Sequence, residues 1–195
     1  LTNNYVVDLG LSVKWANCNV GAANPEDYGA YFAWGETNCK NDYSWSSLQY
    51  RIEGDSYENV KFAKYVAGED CGQVDYIFVL EREDDAASVN WGGDWRMPTE
   101  AEFKELMNKC TWVWTSMNGV NGYRITSAFN GNSIFLPATG YSNEKSVNYA
   151  GREGYYWTAS LSESFTFHKK RSALAVIAAT MVRQCGRYVV QRSNK

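Results

Sequence analysis

The chain has a single histidine, His168, only three prolines, and no aspartate or glutamate after Glu163. No apolar run reaches the 18 residues that a membrane-spanning helix needs. The longest candidate, ALAVIAATMV (Ala173 to Val182), is ten residues with basic flanks and reads as a buried strand. Five cysteines (Cys18, Cys39, Cys71, Cys110, Cys185) are odd in number and widely spaced. No CxxC or CxxxxH pair occurs, so neither a zinc site nor a disulfide framework is expected. A single bridge stays open, and the spacing does not choose its partners. There is no Gly-x-Ser-x-Gly elbow, no His-Glu-x-x-His, no Walker loop and no dinucleotide fingerprint. His168 stands beside Lys169, Lys170 and Arg171, cations that lower its proton affinity, so it reads as a contact residue and not a base. Adjacent acids such as Asp84 and Asp85 point apart at a helix start, which leaves no glycosidase pair. Nothing in the residues calls for a cofactor or a metal.

What the chain does have is aromatic character: 15% of residues, with eight Trp and fourteen Tyr, beside sixteen Gly. That composition predicts β structure, many loops and an aromatic-rich surface. A length of 195 residues suits one domain with an adequate core. The net charge of −3 hides an asymmetry. Residues 165–195 carry seven basic side chains and no acid, a net +7. The rest holds 12 basic against 22 acidic residues, a net −10. The cluster HKKR is too short, in an acidic chain without an aromatic-interleaved groove motif, to indicate nucleic acid. A solvated basic edge is the plainer reading. A chain starting at Leu1 predicts a processed or truncated N-terminus, with any signal or anchor outside it.

Along the chain, Tyr5–Ala22 reads as a strand, a turn near Gly10, and a second strand through Val13, Trp15 and Cys18. Asn24 as cap and Pro25 at the first position predict a short helix over 25–34. Residues 36–75 read as a loop-rich insertion. Asp84 or Asp85 is expected to cap a short helix ending near Gly92; a calcium loop is the alternative, without the EF-hand spacing. RMPTEAEF (Arg96 to Phe103) predicts the best helix of the chain, over 99–110. Thr99 and Glu102 form a capping box, Met97 and Phe103 a hydrophobic staple, and Phe103, Leu106, Met107 and Cys110 one apolar face. Asn118-Gly119, Asn121-Gly122 and Asn130-Gly131 are hairpin signals. SIFLP, GYYWTASLS (with Trp157 inward), SFTF, ALAVIAAT and GRYVVQRS read as strands, and HKKRS as a turn. The second half is therefore expected to be a twisted antiparallel sheet behind one helix.

Several stretches, VDLGLSVKWANCNVGA, PEDYGAYFAWGE, EDDAASVNWGGDWRMPTEAEFKEL, NGYRIT, NSIFLPATGY and GYYWTAS, closely resemble the Fibrobacter major paralogous domain family. That family is abundant in secreted and surface proteins of gut bacteria. The resemblance implies a C-type lectin-like fold over 1–195, α+β, related to formylglycine-generating enzymes and to the variable proteins of diversity-generating retroelements. It implies two short helices, a pairing of N- and C-terminal strands and a central twisted antiparallel sheet. In that wider group RMPTEAEF starts a structural helix and is not catalytic. The oxidase chemistry of the group needs a pair of reactive cysteines late in the chain, and here only Cys185 lies late.

The resemblance implies a non-enzymatic surface or adhesin-type module, extending to a retroelement-diversified variable protein, on a cell surface or a phage particle. The alternatives are a relative of the oxidases and a structural pilus or fibre-tip subunit. In diversified lectin-fold proteins the C-terminal region forms the exposed ligand surface. The candidate ligand-binding residues here are Thr166, His168, Lys169, Lys170, Arg171, Leu174, Ile177, Thr180, Gln184 and Tyr188. The competing reading makes ALAVIAAT a core strand. The expected partner is a protein or a glycan. A protein is favoured because the calcium-coordinating carbohydrate motifs Glu-Pro-Asn and Trp-Asn-Asp are absent.

Overall fold

The structure, a computed structural model, describes residues 5–143, 146–161 and 164–168. It is an α+β chain of small antiparallel sheets and, among the described residues, two α-helices. Strand β1 (Val6–Val7) pairs with β2 (Trp15–Ala16) across a turn in which Gly10 has φ +67°. Leu9, between them, is fully buried.

The helix expected over 25–34 is a single turn instead. The Asp27 carboxylate accepts from the backbone N–H groups of Ala23 and Asn24 (3.2 and 2.8 Å) and closes the turn on itself. Gly29 then takes φ +75°. Local side-chain bonding of this kind competes with helix propagation.

Within 36–75 lies a short antiparallel pair, β3 (Arg51–Glu53) and β4 (Lys61–Phe62), with 3₁₀ turns at Trp45–Ser47 and Glu69–Cys71. Tyr43, Leu48, Val60, Phe62 and Val66 pack together with Ala33. This stretch therefore has a core of its own despite its sparse regular structure.

Helix α1 (Ala86–Trp91) starts at Asp85, whose Oδ1 accepts from the Ser88 N–H at 2.9 Å, and ends at Gly92 with φ +68°. The capping reading thus holds over a calcium loop. The other oxygen of Asp85 accepts from the Met97 N–H at 2.9 Å, tying α1 to the start of the next helix.

Helix α2 (Glu100–Lys109) has the full capping box. Thr99 Oγ1 accepts from the Glu102 N–H, and the Glu102 carboxylate accepts from the Thr99 N–H at 2.8 Å. Arg96 grips the same carboxylate from outside, with Nη1 at 2.8 Å. The Arg96 hydrogen bond, against the opposing effect of burial, holds the Glu102 carboxyl below its ordinary range. Phe103 and Leu106 are buried, and Met107 and Cys110 pack against the same cluster. Met97 packs on a different cluster, that of Trp34, Tyr65, Leu80 and Ala159. Removing the Thr99 cap by Thr99→Ala should cost about 1 kcal/mol. Calorimetry should show a melting midpoint lower by roughly 2–4 °C.

The main sheet is the meander β5 (Cys110–Met117), β6 (Val120–Ser127) and β7 (Ser133–Pro137). Asn118 and Gly119 turn the first hairpin with φ +49° and +83°, as a type I′ turn requires. Gly131, with φ +75°, lies in the second turn. The expected turn at Asn121-Gly122 is absent: both residues lie inside β6. Gly122 is needed there for space, since a Cβ would sit 2.3 Å from the Leu136 carbonyl oxygen. Ile134 to Pro137 are buried, as the apolar run predicts. Leu9, Phe103, Leu106, Ile125 and Ile134 form the main core.

Two hairpins follow: β8 (Tyr141–Asn143) with β9 (Ser146–Asn148), and β10 (Glu153–Trp157) with β11 (Ser164–His168). The strands expected at ALAVIAAT and GRYVVQRS lie outside the described residues. No helix among the described residues is long and apolar enough to cross a membrane.

Candidate functional site

The β10–β11 hairpin carries the first two candidate residues. Thr166 pairs with Tyr155 and His168 with Glu153 in the backbone register. Lys169, Lys170, Arg171, Leu174, Ile177, Thr180, Gln184 and Tyr188 lie outside the described residues.

Strand β10 is anchored on the body by its other side chains. Tyr156 O–H donates to the Pro137 carbonyl at 2.7 Å, and burial pushes its phenol well above the ordinary range. Trp157 points inward, and its Nε1 donates to the Phe32 carbonyl at 3.1 Å. Gly154 bridges to Gly140 in parallel, and the Gly140 N–H donates to the Glu153 carbonyl at 2.7 Å. These contacts hold the β10 backbone against the loop that leads into β8.

Beside the hairpin lies an aromatic shelf. The Tyr141 and Tyr155 rings meet edge to face at 4.9 Å, and Tyr149 lies 5.8 Å from Tyr141. Tyr149 is half exposed and has φ +60°, an uncommon conformation for a bulky residue. Tyr155 O–H donates to the Glu153 carboxylate; burial first, and then that carboxylate, push the phenol up. Next to the shelf a cavity of about 170 Å³ is walled by Tyr28, Tyr31, Tyr141, Tyr155, Tyr156 and Trp157. Tyr31 O–H donates to the Thr139 carbonyl at 2.6 Å, and burial, with Tyr28 nearby, pushes its phenol up to about 12.

The raised phenols of Tyr31, Tyr155 and Tyr156 stay protonated at neutral pH and act as hydrogen-bond donors. The chemistry of the shelf is contact: broad, stiff rings with few rotors, edged by hydroxyls, give binding area at low ordering cost. Among the described residues no group of three or more His, Cys, Asp or Glu side chains converges on one point. Sequence reasoning missed Tyr141, Tyr149 and Tyr155 as neighbours of the candidate surface. The only signal was the high tyrosine content, because the three come together through tertiary packing and not through spacing.

A second cluster of titratable groups serves the fold. Asp84 is 3% exposed and accepts from Tyr50 O–H (2.5 Å), Tyr65 O–H (2.6 Å) and Lys64 Nζ (2.6 Å). Lys64 also pairs with Glu81 and lies over the Tyr65 ring at 4.9 Å. Burial raises the Asp84 carboxyl, but the three donors outweigh it and hold the carboxyl below its ordinary range. The cluster locks residues 50–65 to the start of α1.

Comparison with protein-family models, with curated proteins and with solved structures returned no match.

Proposed function

We propose that this chain is a ligand-binding module of an extracellular or cell-surface protein, built on a C-type lectin-like fold. One observation carries the reading. The backbone of Thr166 and His168 runs opposite Tyr155 and Glu153, beside the Tyr141–Tyr149 shelf, on a body fixed by capped helices and three packed clusters. A stiff body with aromatic side chains beside the hairpin lowers the ordering cost of binding. The two helices, the antiparallel meander and the capped RMPTEAEF helix support the lectin-like fold and the resemblance to the Fibrobacter major paralogous domain family. The site runs from Thr166 to Tyr188 and takes the shelf as its neighbour. The seven cations after Phe165 favour an acidic protein ligand over a neutral glycan. A reverse transcriptase gene and a near-copy of the 3′ coding region beside this gene would mark the surface as diversified.

The test is a binding screen of the intact chain on two arrays, one of purified acidic surface proteins and one of defined glycans. The variant with His168, Lys169, Lys170 and Arg171 all replaced by Ala should bind its best protein target at least about tenfold more weakly, the size expected when one well-placed contact is lost. Binding that is unchanged, or confined to glycans and indifferent to these four residues, contradicts the reading.

A further inference from the structure

The cavity of about 170 Å³ beside the shelf has a wall of one electrostatic character. Its volume is close to that of a protein cavity of about 150 Å³ that takes up benzene, so it has room for one small guest. Nearly half of the residues around it are aromatic, and among the described residues none is Lys, Arg or His. Most of its aromatic donors are already given to the protein. Tyr43 O–H donates to the Tyr31 carbonyl at 2.6 Å, and Trp34 Nε1 donates to the Thr158 carbonyl at 2.8 Å. Tyr31, Tyr156 and Trp157 donate to the carbonyls of Thr139, Pro137 and Phe32, and Tyr155 donates to the Glu153 carboxylate. What remains toward a guest is ring surface and oxygen lone pairs.

Such a wall selects its guest by charge. A carboxylate or a phosphate needs N–H donors or a cation, and a sugar needs donors as well as acceptors around its hydroxyls. Ring quadrupoles attract positive charge instead. Glu36 adds a carboxylate to the same wall and is 8% exposed. Its Oε1 accepts from Lys40 Nζ at 2.7 Å and from the Gln49 N–H at 3.0 Å. Lys40 offsets part of that charge. The same ammonium lies 5.6 Å from the centre of the Tyr43 ring, so one ring of this wall already carries a cation.

We propose that this cavity binds a small organic cation of the trimethylammonium class, with Tyr31, Tyr155 and Trp157 against its methyl groups and Glu36 as the counter-charge. A primary ammonium brings three N–H donors, each of which needs an acceptor once buried. A trimethylammonium group brings none and spreads its charge over an apolar surface, which matches a wall of rings. The inference goes beyond the protein ligand proposed above and does not rest on it, because that reading concerns residues 166–188.

The test is titration calorimetry of the intact chain with choline and with 3,3-dimethyl-1-butanol, a neutral molecule of the same shape. Choline should bind at least about tenfold more tightly, the size of a desolvated cation–π contact. Tyr155→Ala should weaken choline about tenfold, and Tyr155→Phe, which keeps the ring, should recover most of the loss. Glu36→Gln should weaken choline and leave the neutral molecule unchanged, a split that a merely structural defect would not produce. Vesicles of phosphatidylcholine that displace choline mark the source of the group as a lipid, and vesicles that do not displace it mark a free solute; both results support the site. Equal affinity for choline and the neutral molecule overturns the proposal, and so does the absence of saturable choline binding. No protein ligand enters this readout, so its failure and that of the protein-binding reading are separate results.

Discussion

Asp84→Asn is expected to destabilise the fold by about 3 kcal/mol, the scale for removing one partner of a buried, hydrogen-bonded ion pair. For a chain of this size that lowers the melting midpoint by roughly 6–12 °C. The amide keeps the shape of the carboxylate but not its charge, and it turns an N–H₂ toward Tyr50, Tyr65 and Lys64, all of which are donors here. Lys64 keeps Glu81, so the lysine is not wholly abandoned. The pH dependence gives a second readout. The folded Asp84 carboxyl lies below its ordinary value of 3.8. Its contribution is therefore fully present above that value and is lost as the pH falls through the lower, folded value. Wild-type midpoints should drop steeply in that acid window. Those of Asp84→Asn should start lower and fall less. Parallel curves would mean that Asp84 is not the group being protonated.

Gly140→Ala is expected to be of similar size, for a different reason. Gly140 has φ +65°, and a Cβ there would stand 2.0 Å from the Asn148 carbonyl oxygen and 2.6 Å from the Ala150 nitrogen. The left-handed conformation costs an L-residue about 1–2 kcal/mol. Forcing backbone apart in a packed site adds about 1–3 kcal/mol. The sum, about 3 kcal/mol, should appear as a lower midpoint in urea. Gly131→Ala is the control. Its φ is +75°, but nothing lies within 4 Å of the added carbon, so only the conformational part, about 1 kcal/mol, should be lost. Because Gly140 bonds to Glu153 and precedes Tyr141, its substitution should also spread the shelf, and ligand binding should weaken with stability. Equal losses at Gly140 and Gly131 would show that the close approach is not tight.

The legible parts of this chain were those fixed by local chemistry. Thr99 and Glu102 stand three apart, and Asp85 and Gly92 bracket six residues, so both helices could be read from their caps. The Asn118-Gly119 and Asn130-Gly131 turns were legible for the same reason. Gly122 misled, because a glycine after asparagine signals a turn while this one serves the close approach of β7. Pro25 misled because Asp27 closes the turn before a second one forms. The candidate site was legible only in part. Thr166 and His168 fall on the β10–β11 hairpin, but the shelf and the Asp84 cluster join residues far apart in sequence. Asp84 meets Tyr50 across 34 positions, and no local pattern announces such a pair.

On the proposed function, the β10–β11 hairpin and the basic residues 169–171 that follow it in sequence meet the ligand. The most direct test measures binding and unfolding on the same two samples, wild type and the variant lacking the four side chains from His168 to Arg171. The account predicts matching melting curves and a loss of binding to the acidic protein target. Retained binding with matching curves would contradict it, because recognition would then sit elsewhere on the molecule.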